Sequence, residues 1–102
     1  MTTHSPIYTT LTTPNDYSNV NIGTSSGVLI PANPGRRWIT IQNTSSVNIW
    51  INFGSAATTS AGSYLLLPNG VGIFQQECNS YLNCAIYAIA ASGTQNITAK
   101  DI

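Results

Sequence analysis

The chain has 102 residues, enough for one domain whose core buries roughly two thirds of the unfolded surface without metal or disulfide staples. Charged residues make up 6% of it and the formal net charge is zero, which excludes the basic field of a nucleic-acid binder and the basic amphipathic helix of a membrane-surface protein. Thr, Ser and Asn fill 35 positions, so the surface is built from neutral hydroxyl and amide groups, and copies of such a surface repel one another little.

Residues 1–25 are rich in Thr, Ser and Asn, with Pro6, Pro14 and scattered apolar positions at Ile7, Tyr8, Leu11, Tyr17, Val20 and Ile22. That is too little apolar surface to fold alone and too much for a solvated tail, which predicts an extended N-terminal arm that orders against something else. The segment has neither the basic nor the apolar region of a signal peptide, and no run of 18 apolar residues follows. The expectation is a protein made and kept in a cytoplasm, with no membrane partner.

From residue 26 to 102, short runs of β-branched and aromatic residues recur between clusters of Gly, Pro, Asn and Ser. The pattern predicts one all-β domain, an antiparallel β-sandwich or jelly-roll-like barrel of six to seven strands. GVLIP, Gly27 to Pro31, reads as a short buried run, closed by a turn at ANPG. In RWITIQN, Ile39 and Ile41 share a face; in VNIWINF, Val47, Ile49, Ile51 and Phe53 do. With NTSS between them the two runs predict a hairpin, its isoleucines in the core and Trp50 outward among asparagines. Farther on, Tyr64 to Leu67 predicts a strand, Pro68-Asn69-Gly70 a type I or II turn, and VGIFQQ a strand with Ile73 facing in. CAIYAIAA predicts a nearly continuous buried strand, and NITAKDI the closing one.

The groups able to do chemistry are Asp16, Glu77, Asp101, His4, Cys78 and Cys84. No spacing among them matches a catalytic or metal-binding pattern, and no glycine-rich loop opens a helix that could hold phosphate. The reading is a non-enzyme with no cofactor and no metal. Cys78 and Cys84 could close a small loop, but free thiols are the expectation in a reducing compartment. The Arg36-Arg37 pair has two readings: arginines that stay solvated or pair with Asp101 or Glu77, and anchors on a partner surface, where Arg and Trp are enriched. Trp50, Tyr64 and Tyr87 could stack on sugar rings, though aromatics in strands are also ordinary core and interface material.

GRRWITIQNTSSVNIWINFGSAATTSAGSYLLLPNG, followed by AIYAIAASGTQNITAKDI, resembles a family of small structural proteins and domains from tailed bacteriophages. The ordered signatures are a basic strand entrance, an IQN strand, a neutral hairpin, an FG stop, a small-residue loop, an L-P-x-G turn and a final IYAIAASGTxNIT hairpin. They cover Gly35 to Ile102; the arm lies outside them. The resemblance implies a virion-surface protein that decorates and stabilises the capsid exterior. Its implied partner is the major capsid protein or another virion protein, and its implied state a homo-oligomer, with a trimer favoured, assembled in the host bacterial cytoplasm. The alternative is a carbohydrate- or host-receptor-binding module on a head or tail fibre. Candidate interface residues are Ile7, Tyr8, Leu11, Arg36, Arg37 and Trp50.

Overall fold

The computed structural model describes residues 13–78 and 82–102. Among them are eight strands and no helix: β1 (Asn15–Asp16), β2 (Gly27–Ile30), β3 (Trp38–Gln42), β4 (Ile49–Phe53), β5 (Tyr64–Leu66), β6 (Ile73–Glu77), β7 (Ile86–Ala90) and β8 (Thr98–Asp101). They form two four-stranded antiparallel sheets, ordered β1-β8-β3-β6 and β2-β7-β4-β5. The pairs β4·β5, β3·β6, β2·β7 and β1·β8 are nested. The chain thus runs out along four strands and returns along the other four, and the ladders β3·β8 and β4·β7 fold this long double ribbon into two layers.

Strand alternation places the core. Ile39 and Ile41 from β3, Ile49 and Ile51 from β4, Leu29 and Ile30 from β2, Ile86 from β7 and Ile97 before β8 are all withdrawn from water. Each such side chain contributes roughly 1.5–3 kcal/mol of transfer free energy. Ala88, Ala90 and Ala99 occupy inward positions between them, small residues that leave room for the isoleucines of the facing sheet.

Neither expected hairpin forms, since β7 and β8 lie in opposite sheets and so do β3 and β4. Ile39, Ile41, Ile49 and Ile51 do face one core, but from opposite sheets, because β3 pairs with β6 and β8 while β4 pairs with β5 and β7. The NTSS segment is an arch between layers, and buried Asn43 holds it. Its amide nitrogen donates to the carbonyls of Val47 (2.8 Å) and Leu66 (2.7 Å). Its amide oxygen accepts from the Ser45 N–H (3.0 Å) and the Ser45 hydroxyl (2.6 Å). All four hydrogen-bonding positions of the side chain are used, which is what burying an amide requires.

Three more local expectations are corrected. Ile73 faces outward and Phe74 takes the inner position, where its ring lies 5.2 Å from that of Phe53. The Pro68 turn has positive φ at Asn69 (61°) and Gly70 (82°), with the Val71 N–H bonded to the Pro68 carbonyl at 3.3 Å. That is a type I′ turn, which Asn-Gly favours over types I and II. β7 is half-buried rather than buried throughout: Ile86, Ala88 and Ala90 face in, Tyr87 and Ile89 out.

Residues 13–25 run along the domain. Asn15 and Asp16 pair with Asp101 and Lys100, the Tyr17 N–H donates to the Ala99 carbonyl at 2.8 Å, and buried Ile22 exchanges two 2.8 Å bonds with Gln95.

Candidate functional site

The strongest polar constellation lies inside one end of the sandwich. Arg36 follows the Asn33–Pro34–Gly35 turn, which the Arg36 N–H closes onto the Asn33 carbonyl at 3.0 Å. From there its side chain turns inward. Nε donates to Asp101 Oδ2 at 2.9 Å; Nη1 donates to the carbonyls of Leu82 (2.7 Å) and Cys84 (3.0 Å), and Nη2 to that of Pro31 (2.8 Å). The Asp101 carboxylate also accepts from the Asn15 amide at 2.8 Å and the Asn33 amide at 3.3 Å. The cluster clamps together the N-terminal segment, the Asn33 turn, the loop before β7 and the last strand.

Two neighbours feel this environment. Burial pushes the Tyr17 phenol above its ordinary pKa, and the Asp101 charge adds to the rise while Arg36 opposes it. Burial likewise pushes the Cys78 thiol up, with Arg36 opposing and Asp101 adding. Cys78 and Cys84 are both free thiols.

Of the arginine pair, Arg36 is thus committed to the interior, with four of its five N–H donors used on acceptors within the chain. Arg37 is exposed. Trp50 is half-buried on the outer face of the β2-β7-β4-β5 sheet, where register sets it beside Ile89 and Leu65. Val28, Asn52 and Tyr87 share that face. Ile7, Tyr8 and Leu11 lie outside the described residues, as does His4.

The acids are dispersed. Asp16 and Glu77 stand on β1 and β6, the two edges of one sheet, three strand spacings or about 14 Å apart, wider than the separation at which paired carboxylates act on a glycosidic bond. The Ser18 hydroxyl and N–H hold the Asp16 carboxyl below its ordinary pKa. No group of three or more His, Cys, Asp or Glu side chains converges among the described residues. No helix there is long and apolar enough to cross a membrane.

The sequence reading missed a run of exposed apolar side chains. Tyr64, Leu65, Leu67, Val71 and Ile73 are 45–69% exposed and fall within ten residues, but on different faces: Leu65 beside Trp50 on the outer face of one sheet, Ile73 beside Gln42 on the outer face of the other, and Tyr64 beside Ile51 toward the space between them. Phe53 ties the two edges together, its ring 5.2 Å from Tyr64 on β5 and 5.2 Å from Phe74 on β6. A signal was present: in YLLLPNGVGIF, three consecutive leucines cannot all face inward on one strand. No protein-family model, curated protein or solved structure matches the chain.

Proposed function

We propose that this protein is a non-enzymatic structural component of a tailed-bacteriophage virion, one that decorates and stabilises the capsid exterior. The observation that carries the proposal is the nested pairing of β1·β8, β2·β7, β3·β6 and β4·β5 across two sheets. That connectivity supports an eight-stranded jelly roll, an architecture that recurs in viral capsid and lectin domains. Fold does not imply function, so the reading also leans on the phage-like strand and turn signatures and on the surface. A surface of neutral amides, hydroxyls and exposed apolar side chains can be buried against a shell without stripping water from charges. The partner in this reading is the major capsid protein or another virion protein, and the protein acts as a small homo-oligomer.

A second reading, a carbohydrate- or receptor-binding module, draws on Trp50 and Tyr87, which lie on one outer sheet face as diagonal neighbours beside Asn52. One experiment separates the two. Purified protein is mixed with capsids that lack it and, in parallel, applied to a glycan array. Saturable co-sedimentation with capsids and a blank array is the expected result. Glycan binding that disappears in Trp50→Ala, with no capsid binding, would move the assignment to the second reading.

A further inference from the structure

We infer that Asn69 is a self-modification site that the fold keeps closed: the Gly70 backbone nitrogen is the group that would attack its side-chain amide, and the arch at Asn43 withholds that nitrogen. The site is a property of the chain alone and holds whatever the protein binds.

The chemistry begins in the sequence. Asn69-Gly70 is the chain's single Asn-Gly dipeptide. Glycine has no side chain to hinder its own backbone nitrogen, so that nitrogen can attack Cγ of the preceding asparagine. The N–Cγ bond forms, and the side-chain nitrogen leaves as ammonia with the proton that Gly70 gives up. The product is a five-membered succinimide. Water then adds to one of its two carbonyls and opens the ring, leaving an aspartyl residue or an isoaspartyl one whose main chain runs through the former side chain. Water is the only co-reactant. Turn geometry explains why so reactive a pair stands here: φ is positive at both central positions, 61° at Asn69 and 82° at Gly70, which Asn-Gly accepts and most pairs do not.

Asn69 is exposed, so solvent reaches its amide. The attacking nitrogen is held elsewhere. The Gly70 N–H donates to the Asn43 carbonyl at 2.7 Å, and the Asn69 N–H to the Ser45 carbonyl at 2.8 Å. The Asn43 N–H donates back to the Gly72 carbonyl at 2.8 Å, and Gln42 Nε2 donates to the Gly70 carbonyl at 2.9 Å. A nitrogen must give up its proton to attack, and this proton is bound within the fold. Rotation is blocked as well. In a type I′ turn the first central residue has ψ of roughly +30°, which swings its C–N bond away from its own Cβ, whereas ring closure needs that nitrogen on the same side as Cγ. The reaction therefore waits on a local opening that breaks the four bonds between this turn and the arch.

The modified turn cannot close as before. In the succinimide the Gly70 nitrogen carries no hydrogen, so its bond to the Asn43 carbonyl is lost. An isoaspartyl residue lengthens the main chain in a loop where Gly72 already lies against the Leu66 backbone. Modification thus locks in the opening that allowed it.

The test is to incubate the purified full chain at mildly alkaline pH, folded or unfolded in guanidinium chloride, and follow Asn69 by mass spectrometry of its peptide, where conversion of amide to acid gives a small mass gain. Asn69 should convert in guanidinium and at least about tenfold more slowly in the folded chain, a factor that corresponds to ~1.4 kcal/mol of opening free energy. Gln42→Ala, which removes only the bond to the Gly70 carbonyl, should convert faster than folded wild type. Asn43→Ala, which removes the side-chain bonds that hold the arch, should convert faster still, up to the guanidinium rate if the arch no longer closes. Thr44→Ala, at an exposed position of the same arch, should keep the wild-type rate. Three results would overturn the inference: no conversion of Asn69 in guanidinium, equal rates in the folded and unfolded wild type, or a Gln42→Ala rate no higher than that of Thr44→Ala.

Discussion

The Nε–H of Arg36 meets the Asp101 carboxylate at 2.9 Å with both side chains withdrawn from water. Desolvating two charges costs several kcal/mol per ion, and the attraction between them offsets this when the remaining donors and acceptors are also satisfied. Three backbone carbonyls and two asparagine amides do that here.

Removing either partner leaves the other charge buried and alone. Arg36→Ala and Asp101→Ala should each destabilise the fold by about 3–5 kcal/mol, measured by urea unfolding. Arg36→Met with Asp101→Leu should cost less than the sum of the singles. Singles that cost under about 1 kcal/mol would mean the clamp is peripheral, since that is the worth of an exposed pair.

At the arch, Asn43→Asp keeps the shape of the side chain but removes two donors and turns an anion toward the carbonyls of Val47 and Leu66. Leaving the buried Leu66 carbonyl unsatisfied costs about 1–3 kcal/mol, and the anion also faces the Val47 carbonyl, which keeps the Ser45 hydroxyl at 3.1 Å, so a loss of about 2 kcal/mol or more is expected at neutral pH. The neighbouring Thr44 is exposed, and Thr44→Ala should stay within about 0.5 kcal/mol of wild type. Similar thermal midpoints for the two variants would refute the role given to Asn43.

Gly72 has no room for a side chain. A β-carbon there would come within 2.6 Å of the Leu66 backbone, whereas one at Gly27 would meet nothing within 4 Å. Gly72→Ala should unfold the protein or lower its melting point sharply, and Gly27→Ala should be near neutral. Equal melting points would show that the 66–72 loop yields easily.

Stability should fall on the alkaline side. Tyr17 and Cys78 have folded pKa values raised above their ordinary 10.0 and 9.0. Below those ordinary values both groups hold their protons folded or unfolded, and the contribution is fully present. As pH rises past them the unfolded chain loses protons first, so stability declines through the folded values. The urea midpoint should be level from about pH 6 to 8 and drop above about 9, and Tyr17→Phe with Cys78→Ala should flatten the drop. An unaltered alkaline limb in the double variant would assign it to other groups.

What the sequence disclosed, and what it hid, follows from how far apart the interacting residues are. The inward faces of β3 and β4 were legible because alternation is local: Ile39, Ile41, Ile49 and Ile51 declare themselves within seven-residue windows. Alternation names the buried face but not the neighbouring strand, so the arch at Asn43 read as a hairpin loop. Arg36 was ambiguous for the same reason, since its partner lies 65 residues away. Ile73 and Phe74 both suit an inner position, and the space beside Phe53, a feature of the assembled sheets, decided for the larger ring. Neutrality of the surface was visible from composition; the faces on which its exposed apolar side chains lie needed the topology.

The most direct test of the virion assignment is to locate the protein on particles. Virions recovered from the host that makes it would be imaged by electron microscopy with a labelled antibody, and the same particles quantified by mass spectrometry. The account predicts label distributed over the heads and many copies per particle. Label confined to tail fibres would transfer the protein to the receptor-binding reading. Abundant protein in the lysate with none on purified particles would contradict the account altogether.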